Sequence, residues 1–404
     1  MLHCATSGLW QKTMRKSTKL LNRISFLFVW FTLIVGQSCA APAALAAQDK
    51  WTVMVYMVGD NELEEYVIPD IEDELASTGS SQDVNVLVLA DRAPGYDISQ
   101  GDWQTTKLFY VTQGMTADSA NAVADWGERN MGDAQTLIEF IAWSKANYPA
   151  DHYALYFWDH GWSWHPGWVL IDETDGDTLD YDELKNAIPS LGFIDVVGYD
   201  GCNMASLEML QVWRGYSTAL TSSQEYVEDY GIEYDVLLAE LLANPNMNAD
   251  DVAIATSQSA IYDKTWSALA TDARLDTLLA AVDDWSIALL NGLPENRAEY
   301  QRAFEATQSF WDAPMDKDLY DMAYELERNV ADREIKTKSQ AVMDAVRQVV
   351  LFEKRAEEYS GANGITIYHI STASEKDPDY LYYRSMIDLA IQTSWDEFLD
   401  SYAR

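Results

Sequence analysis

Cysteine is scarce in this chain: of 404 residues only Cys4, Cys39 and Cys202 carry a thiol, and the first two lie in or beside the amino-terminal segment. The body therefore holds a single cysteine, which excludes an internal disulfide framework. Positive charge is scarce as well. Lys and Arg number 27 against 65 Asp and Glu, a formal net charge of −38, and five of the 27 fall within residues 1–47. A chain so acidic does not bind nucleic acid or an anionic bilayer by charge; it attracts cationic peptides and divalent metals. The plainer function of such an excess is a solvated acidic surface, which accounts for most of it. Internal repeats and low-complexity tracts are also missing. What is present is core material: 48% apolar and 12% aromatic residues, enough for one large globular domain or two smaller ones.

The first 47 residues differ from the rest. Lys12, Arg15, Lys16, Lys19 and Arg23 precede the apolar run Ile24 to Val35, and the small-residue tract AAPAALAA follows. That order reads as a secretory signal peptide, and the apolar run is short for a membrane span. Cleavage is expected near Ala46 or Ala47. Cys39, in the context GQSC, is the alternative, a poor version of a lipid-anchor site. The protein is thus expected outside the cytoplasm, secreted or in the periplasm or cell envelope, with no membrane contact beyond an anchor at Cys39. A lone thiol sent to an oxidising compartment is a liability unless it is buried or used as a nucleophile.

From residue 48 the pattern alternates. Trp51 to Val58 reads as a buried strand ending at Gly59, with Asp60 or Asn61 placed to cap a helix carrying Leu63, Val67, Ile71 and Leu75. Asn85 to Ala90 is a second buried strand, Trp103 to Val111 an edge strand or hairpin arm, Tyr153 to Trp158 a third buried strand, and Phe193 to Val197 and Ser217 to Ser222 two more. Buried strands alternating with helices predict an α/β fold whose central sheet is mainly parallel, with helices on both faces.

Two strand ends carry chemistry. Phe193 to Leu210, FIDVVGYDGCNMASLEML, runs from strand through a small-residue break into a helical pattern, and Cys202 stands at the junction. Open α/β sheets expose reactive groups at this carboxyl edge. Asp200 shares the parity of Cys202, which sets a carboxylate beside the thiol; the alternative role for Asp200 is to cap the following helix. His160, followed by Gly161, ends the strand at Trp158 in the same way, so two parallel strands would bring a base to a nucleophile. Histidine is the side chain suited to activating a thiol near neutral pH.

Three segments, VMVYMVGDNELEEY, YFWDHGWSW and GYDGCNMASLEML, together with TSSQEYVEDYGIEYD downstream, resemble the clostripain family of cysteine peptidases. The resemblance implies a caspase-like three-layer sandwich and an endopeptidase that cuts after basic residues, Arg and also Lys. It makes Cys202 the nucleophile and His160 the general base and acid, with no third member of a triad. It places Asp200 in the pocket for the basic P1 side chain, and the residues agree, since a partly desolvated carboxylate holds a guanidinium through paired hydrogen bonds. Glu225 is a second candidate for that pocket. Backbone N–H groups at Gly161 and Cys202 are the candidate oxyanion donors. No cofactor is required for this chemistry, and a monomer acting on peptide or protein substrates is expected. Relatives self-process after a basic residue between the histidine and the cysteine, yet here that interval holds only Lys185, inside a predicted helix. Asn203 stands where an apolar residue is expected.

The expected organisation is a signal peptide at 1–47, a caspase-like peptidase domain at 48–270 and a mainly helical region at 271–404 packed on it. The last contains amphipathic patterns at Leu275 to Leu290 and Val342 to Val350, a late strand at 364–370, and a Ser394 to Glu397 capping box. Between the catalytic segments, IDETDGDTLDYDEL concentrates acids. It fails as an EF-hand, because setting Gly176 at the sixth loop position puts Ile171 at the first, where a carboxylate is needed. The resemblance keeps calcium as a structural or activating cofactor, but no metal ligands are assigned. Two rival functions remain: a catalytically inactive surface protein that binds basic peptides or calcium in an acidic cleft, and a metallohydrolase centred on His160 and Asp159. His152 and His165 are read as structural.

Overall fold

A computed structural model describes residues 48–228, 230–311, 313–372 and 378–404; the signal-peptide and Cys39 expectations lie outside the described residues. The strands in chain order are β1 (Asp49–Gly59), β2 (Val84–Arg92), β3 (Lys107–Tyr110), β4 (Ala124–Asp125), β5 (Ala150–Trp158), β6 (Ile171–Asp172), β7 (Asp177–Thr178), β8 (Ile194–Asp200), β9 (Ser217–Ser222), β10 (Thr265–Ala270), β11 (Asp316–Asp318), β12 (Val350–Arg355) and β13 (Thr366–Tyr368). Nine of them form one sheet in the order β12-β10-β9-β8-β5-β1-β2-β3-β4. The five central strands are parallel, and antiparallel strands flank them on both sides.

Side-chain alternation sorts the core into two layers. On β1, Met54, Tyr56 and Val58 pack with Leu137, Phe140 and Leu184 from helices Ala134–Asn147 and Tyr181–Leu191. Val53, Val55 and Met57 pack on the other face with Val67, Ile71, Leu237 and Val252. Helices thus cover both faces of a mainly parallel sheet, the caspase-like three-layer arrangement. Ala47–Arg404 is one compact unit. Its later part holds the 34-residue helix Ala273–Ala306 and the helix Arg333–Val349, and returns β12 to the edge of the sheet.

Several local expectations are corrected. The helix bearing Val67, Ile71 and Leu75 is not a continuous α-helix: it is α-helical over Glu64–Pro69 and a π-turn over Asp70–Leu75. Pro69 has no N–H to donate and crowds the preceding turn, so the ladder shifts there. The strand expected over Trp103 to Val111 is confined to Lys107–Tyr110 and forms a hairpin arm paired on both sides, with β4 at the edge; Trp103 instead lies buried beneath the Arg92 guanidinium, 4.8 Å from its ring. Ser394 does not close a capping box: its N–H and Oγ both donate to Asp283 Oδ1, at 2.8 and 3.0 Å. A tertiary acceptor on the long helix outcompetes the local one.

Candidate active site

Register decides the geometry. Trp158 of β5 pairs with Asp200 of β8 across the parallel ladder, so His160 and Cys202, each two residues further on, leave adjacent strands at matching heights. Two glycines let the loops meet. A Cβ on Gly201 would stand 2.6 Å from the Asp159 carbonyl oxygen, and one on Gly161 would stand 2.8 Å from the Cys202 carbonyl oxygen. The backbones of the two loops are therefore in direct contact, closer than any side chain at those positions would permit. His160, Cys202 and Asp200 line one cleft together with Tyr226, Glu228 and Tyr230.

Cys202 is half-buried, and its Sγ accepts from the Val227 N–H at 3.4 Å and faces the Val227 carbonyl at 4.0 Å. Asn203 follows with a left-handed backbone, φ 57°. Its amide donates to the Gln224 carbonyl at 3.0 Å, and its own N–H donates to the Glu225 carbonyl at 3.2 Å. The unexpected asparagine thus has a physical account: the tight turn behind the thiol needs a positive φ, and Asn tolerates it better than an apolar residue. The helix begins only at Leu207, capped by Ser206, whose Oγ accepts from the Met209 N–H at 3.2 Å. Asp200 therefore does not cap it.

Asp200 is 8% exposed, and its Oδ1 accepts from the Ile232 N–H at 3.1 Å. Gly231 comes so close that a Cβ there would lie 2.1 Å from the same oxygen, and its φ of +52° favours glycine in any case. Burial, with the charge of Asp263 added, pushes the Asp200 carboxyl up to about 7. Behind it stand more acids. Burial raises Glu74 to about 8 and Asp263 to about 7, and the buried Asp70, which accepts from Trp158 Nε1 at 2.6 Å, lies well above its ordinary range. A cleft floored by crowded carboxyls is primed for a cation.

The His160 ring is partly exposed, and its Nε2 lies 3.1 Å from Glu62 Oε1. Glu62 went unremarked in the sequence; the signal was its place just past the end of β1, the strand adjoining β5. Its neighbour Asn61 does more than cap. Asn61 Oδ1 accepts from the Leu63 N–H at 2.9 Å, while its amide donates to Asp159 Oδ1 at 2.8 Å and the Ile171 carbonyl at 2.9 Å. It thereby ties the β1 loop to the loop bearing His160.

Glu225 is placed elsewhere. It is buried, and its oxygens accept from the Tyr226 N–H at 2.9 Å and the Trp311 N–H at 2.8 Å, which turns it away from the cleft toward the loop at Trp311. His165 is stacked between Trp162 and Trp164, and His152 lies against Trp51 and pairs with Asp195 at 2.8 Å, so both serve packing. Lys185 lies within its helix with Nζ on Asp388 at 2.6 Å.

The clostripain family model matches residues 55–402. Clostripain of Hathewaya histolytica is 27% identical over 232 residues, a segment covering 50% of this chain and 44% of that relative; the chain thus spans less than half of that relative's length. A secreted C11 cysteine protease from Bacteroides thetaiotaomicron, solved with an irreversible peptide inhibitor, superimposes with a TM-score of 0.65 at 18% identity, over 86% of this chain and 99% of that one. An inactive zymogen C11 protease from Parabacteroides distasonis gives 0.64 at 18% identity, over 87% and 99%. At those identities the structures speak for the fold, and the family match rests on the sequence. With that match running from β1 to the last helix, the chain belongs to the clostripain family of cysteine peptidases.

Proposed function

We propose that this protein is an exported cysteine endopeptidase that cleaves after Arg, and also Lys, through a Cys202–His160 dyad. The observation that carries the proposal is the single cleft lined by Cys202, His160 and a buried Asp200. Cys202 Sγ adds to the carbonyl carbon after the basic residue, and its proton passes to His160. Gly161 and Cys202 N–H groups receive the developing oxyanion. His160 then gives the proton to the departing amine as the C–N bond breaks, and water attacks the thioester to release the acid and restore the thiol. Asp200, with Glu228 at the rim, receives the basic P1 side chain; an ion pair in so enclosed a place discriminates far more than one on the surface. No cofactor enters these steps. The basic, apolar and small-residue order of residues 1–47 supports export, and none of the described helices is long and apolar enough to cross a membrane.

The test is release of a reporter from peptides ending in Arg, Lys, Ala or Asp. Turnover confined to the basic pair and lost in Cys202→Ala is expected; an unchanged rate in that variant removes the nucleophile. Iodoacetamide should label Cys202 rapidly and a basic peptide should protect it. Protection without turnover in the wild type would instead support a binding protein.

A further inference from the structure

Away from the thiol, three aspartates meet at the carboxyl end of the same sheet. Asp60 directly follows β1, Asp91 lies in β2, and Asp172 ends β6. One oxygen from each lies within 4.8 Å of the other two, and all three residues are buried. We infer that Asp60, Asp91 and Asp172 hold one hard divalent cation of calcium size, which fastens the ends of β1, β2 and β6.

The independent observation is Asp60 Oδ1. The residue is only 1% exposed; its carboxyl is held by the side chain and N–H of Thr174, yet Oδ1 is shut off from solvent with no hydrogen-bond partner of its own. A buried carboxylate oxygen left bare costs more than a neutral group in that state, so it is retained where something else satisfies it. Protein cations do not: among the described residues none of the three aspartates pairs with Lys or Arg. The cation nearest in sequence, Arg92, is committed to Glu64 and Asp97. The other two carboxylates are already oriented. Asp172 accepts from the Met131 and Asp175 N–H groups at 2.8 and 2.9 Å, and Asp91 accepts from Thr106 Oγ1 and the Arg92 N–H, both at 2.9 Å. Each fixed oxygen retains a lone pair for a metal.

The donor set selects the metal class. Carboxylate oxygens alone suit hard cations, not zinc or copper. Three converging carboxylates suit Ca²⁺, which takes several carboxylate ligands, better than Mg²⁺, which keeps several waters and takes one or two, and the three oxygens, within 4.8 Å of one another, are near enough to share one ion. A surface cavity lined by Asp60, Gly95, Tyr96 and Glu173 adjoins the site and offers an entry path. The position also gives the ion a consequence. Asn61 and Glu62 come immediately after Asp60 and reach Asp159 and His160, so a cation there would hold the loop that orients the histidine.

The experiment is titration of Ca²⁺ into the EDTA-stripped protein, read by calorimetry and by melting temperature, with Mg²⁺ in parallel. Neither readout needs turnover, so the outcome is independent of the proposed peptidase activity. One strong site per chain and a higher Tm are expected for Ca²⁺, with Mg²⁺ weaker. Asp60→Asn and Asp172→Asn keep the shape but remove a charge, and each should weaken binding roughly tenfold or more; Glu240→Gln, on an exposed part of the surface, should leave it unchanged. Near-UV circular dichroism reports whether the variants fold. Should they not, luminescence of Tb³⁺ bound to the wild type decides: one equivalent displaced by Ca²⁺ supports the site. Absence of a stoichiometric site in the wild type, equal affinity in a folded Asp60→Asn, or Mg²⁺ binding as tightly as Ca²⁺ would overturn it.

Discussion

Gly201→Ala puts the proposed geometry under the most direct strain. The new Cβ would sit 2.6 Å from the Asp159 carbonyl oxygen, 3.3 Å from the His160 carbonyl carbon and 3.4 Å from the Gly161 N. Ordinary van der Waals contact begins at 3.4 Å, so the methyl must force the two loops apart by a large fraction of an ångström. The obstacle is backbone, held in register by β5 and β8, and cannot swing aside as a flexible side chain would. Overpacking of this kind costs about 1–3 kcal/mol, which a body with two core layers should survive. Catalysis should not. A displacement near 1 Å between reacting groups costs on the order of a hundredfold, and here it falls on the separation of Cys202 from His160. The assay pairs kcat/KM on an Arg reporter with the melting temperature. The expected result is a loss of roughly a hundredfold in kcat/KM while the cooperative melt persists. If the folded variant keeps its rate within about twofold, the contact of the two loops does not set the dyad and the reasoning fails.

The acids give further expected outcomes. Asp200→Asn retains an acceptor for the Ile232 N–H but loses the charge, and should lower kcat/KM on Arg substrates roughly ten- to a hundredfold, the worth of one charge-assisted hydrogen bond, with little change on an uncharged substrate. Because the Asp200 carboxyl is raised to about 7, it is ionised only above that pH. KM for Arg peptides should therefore fall as pH rises through 7, and Asp200→Asn should abolish that component of the profile. Glu225→Ala strips the acceptor from the Tyr226 and Trp311 N–H groups; it should lower Tm without altering the preference for Arg over Lys, whereas a change in that preference would return Glu225 to the pocket. Stability should also decline from acid to neutral pH. Burial raises Glu208 to about 7, so its contribution is whole below the unfolded value of about 4 and is lost as pH climbs through 7. Melting curves from pH 4.5 to 8.5 should show the decline, reduced in Glu208→Gln.

Strands were the most legible part of the sequence because their cause is local. A run such as Trp51 to Val58 is buried on both faces whichever helices cover it, and its length and flanking residues identify it. The junctions after Trp158 and Asp200 were legible for the same reason, since a strand that stops at a small-residue turn exposes the next side chains at the sheet's edge. Pairs distant in sequence were not. Nothing near Glu225 announces Trp311, and nothing near Ser394 announces Asp283, so local rules assigned the first to a pocket and the second to a cap. Asp172 shows the limit best. Read within IDETDGDTLDYDEL it belonged to a failed EF-hand, because the loop was tested as a contiguous set of ligands. Its neighbours lie more than 80 and 110 residues earlier, and parallel crossovers alone bring them together.

The acidic balance has the same long-range character. A surplus of carboxylates intended only for solubility would lie in water, as most of it does. Yet Asp60, Asp70, Asp91, Asp159, Asp172 and Asp200 lie within or just beyond the carboxyl half of the sheet and its first helix, and burial raises the carboxyl of each. Burying like charges together opposes folding unless protons or cations neutralise them. The arrangement is therefore stable in proportion to what it binds. At one end, Asp200 and the acids behind it would gain most from the guanidinium or ammonium group of the proposed substrate; at the other, Asp60, Asp91 and Asp172 would gain most from the proposed metal ion. Between the two, Asp159 is already satisfied by Asn61 and the Ile171 N–H and needs neither, so Asp159→Asn should destabilise the loop bearing His160 without shifting either affinity.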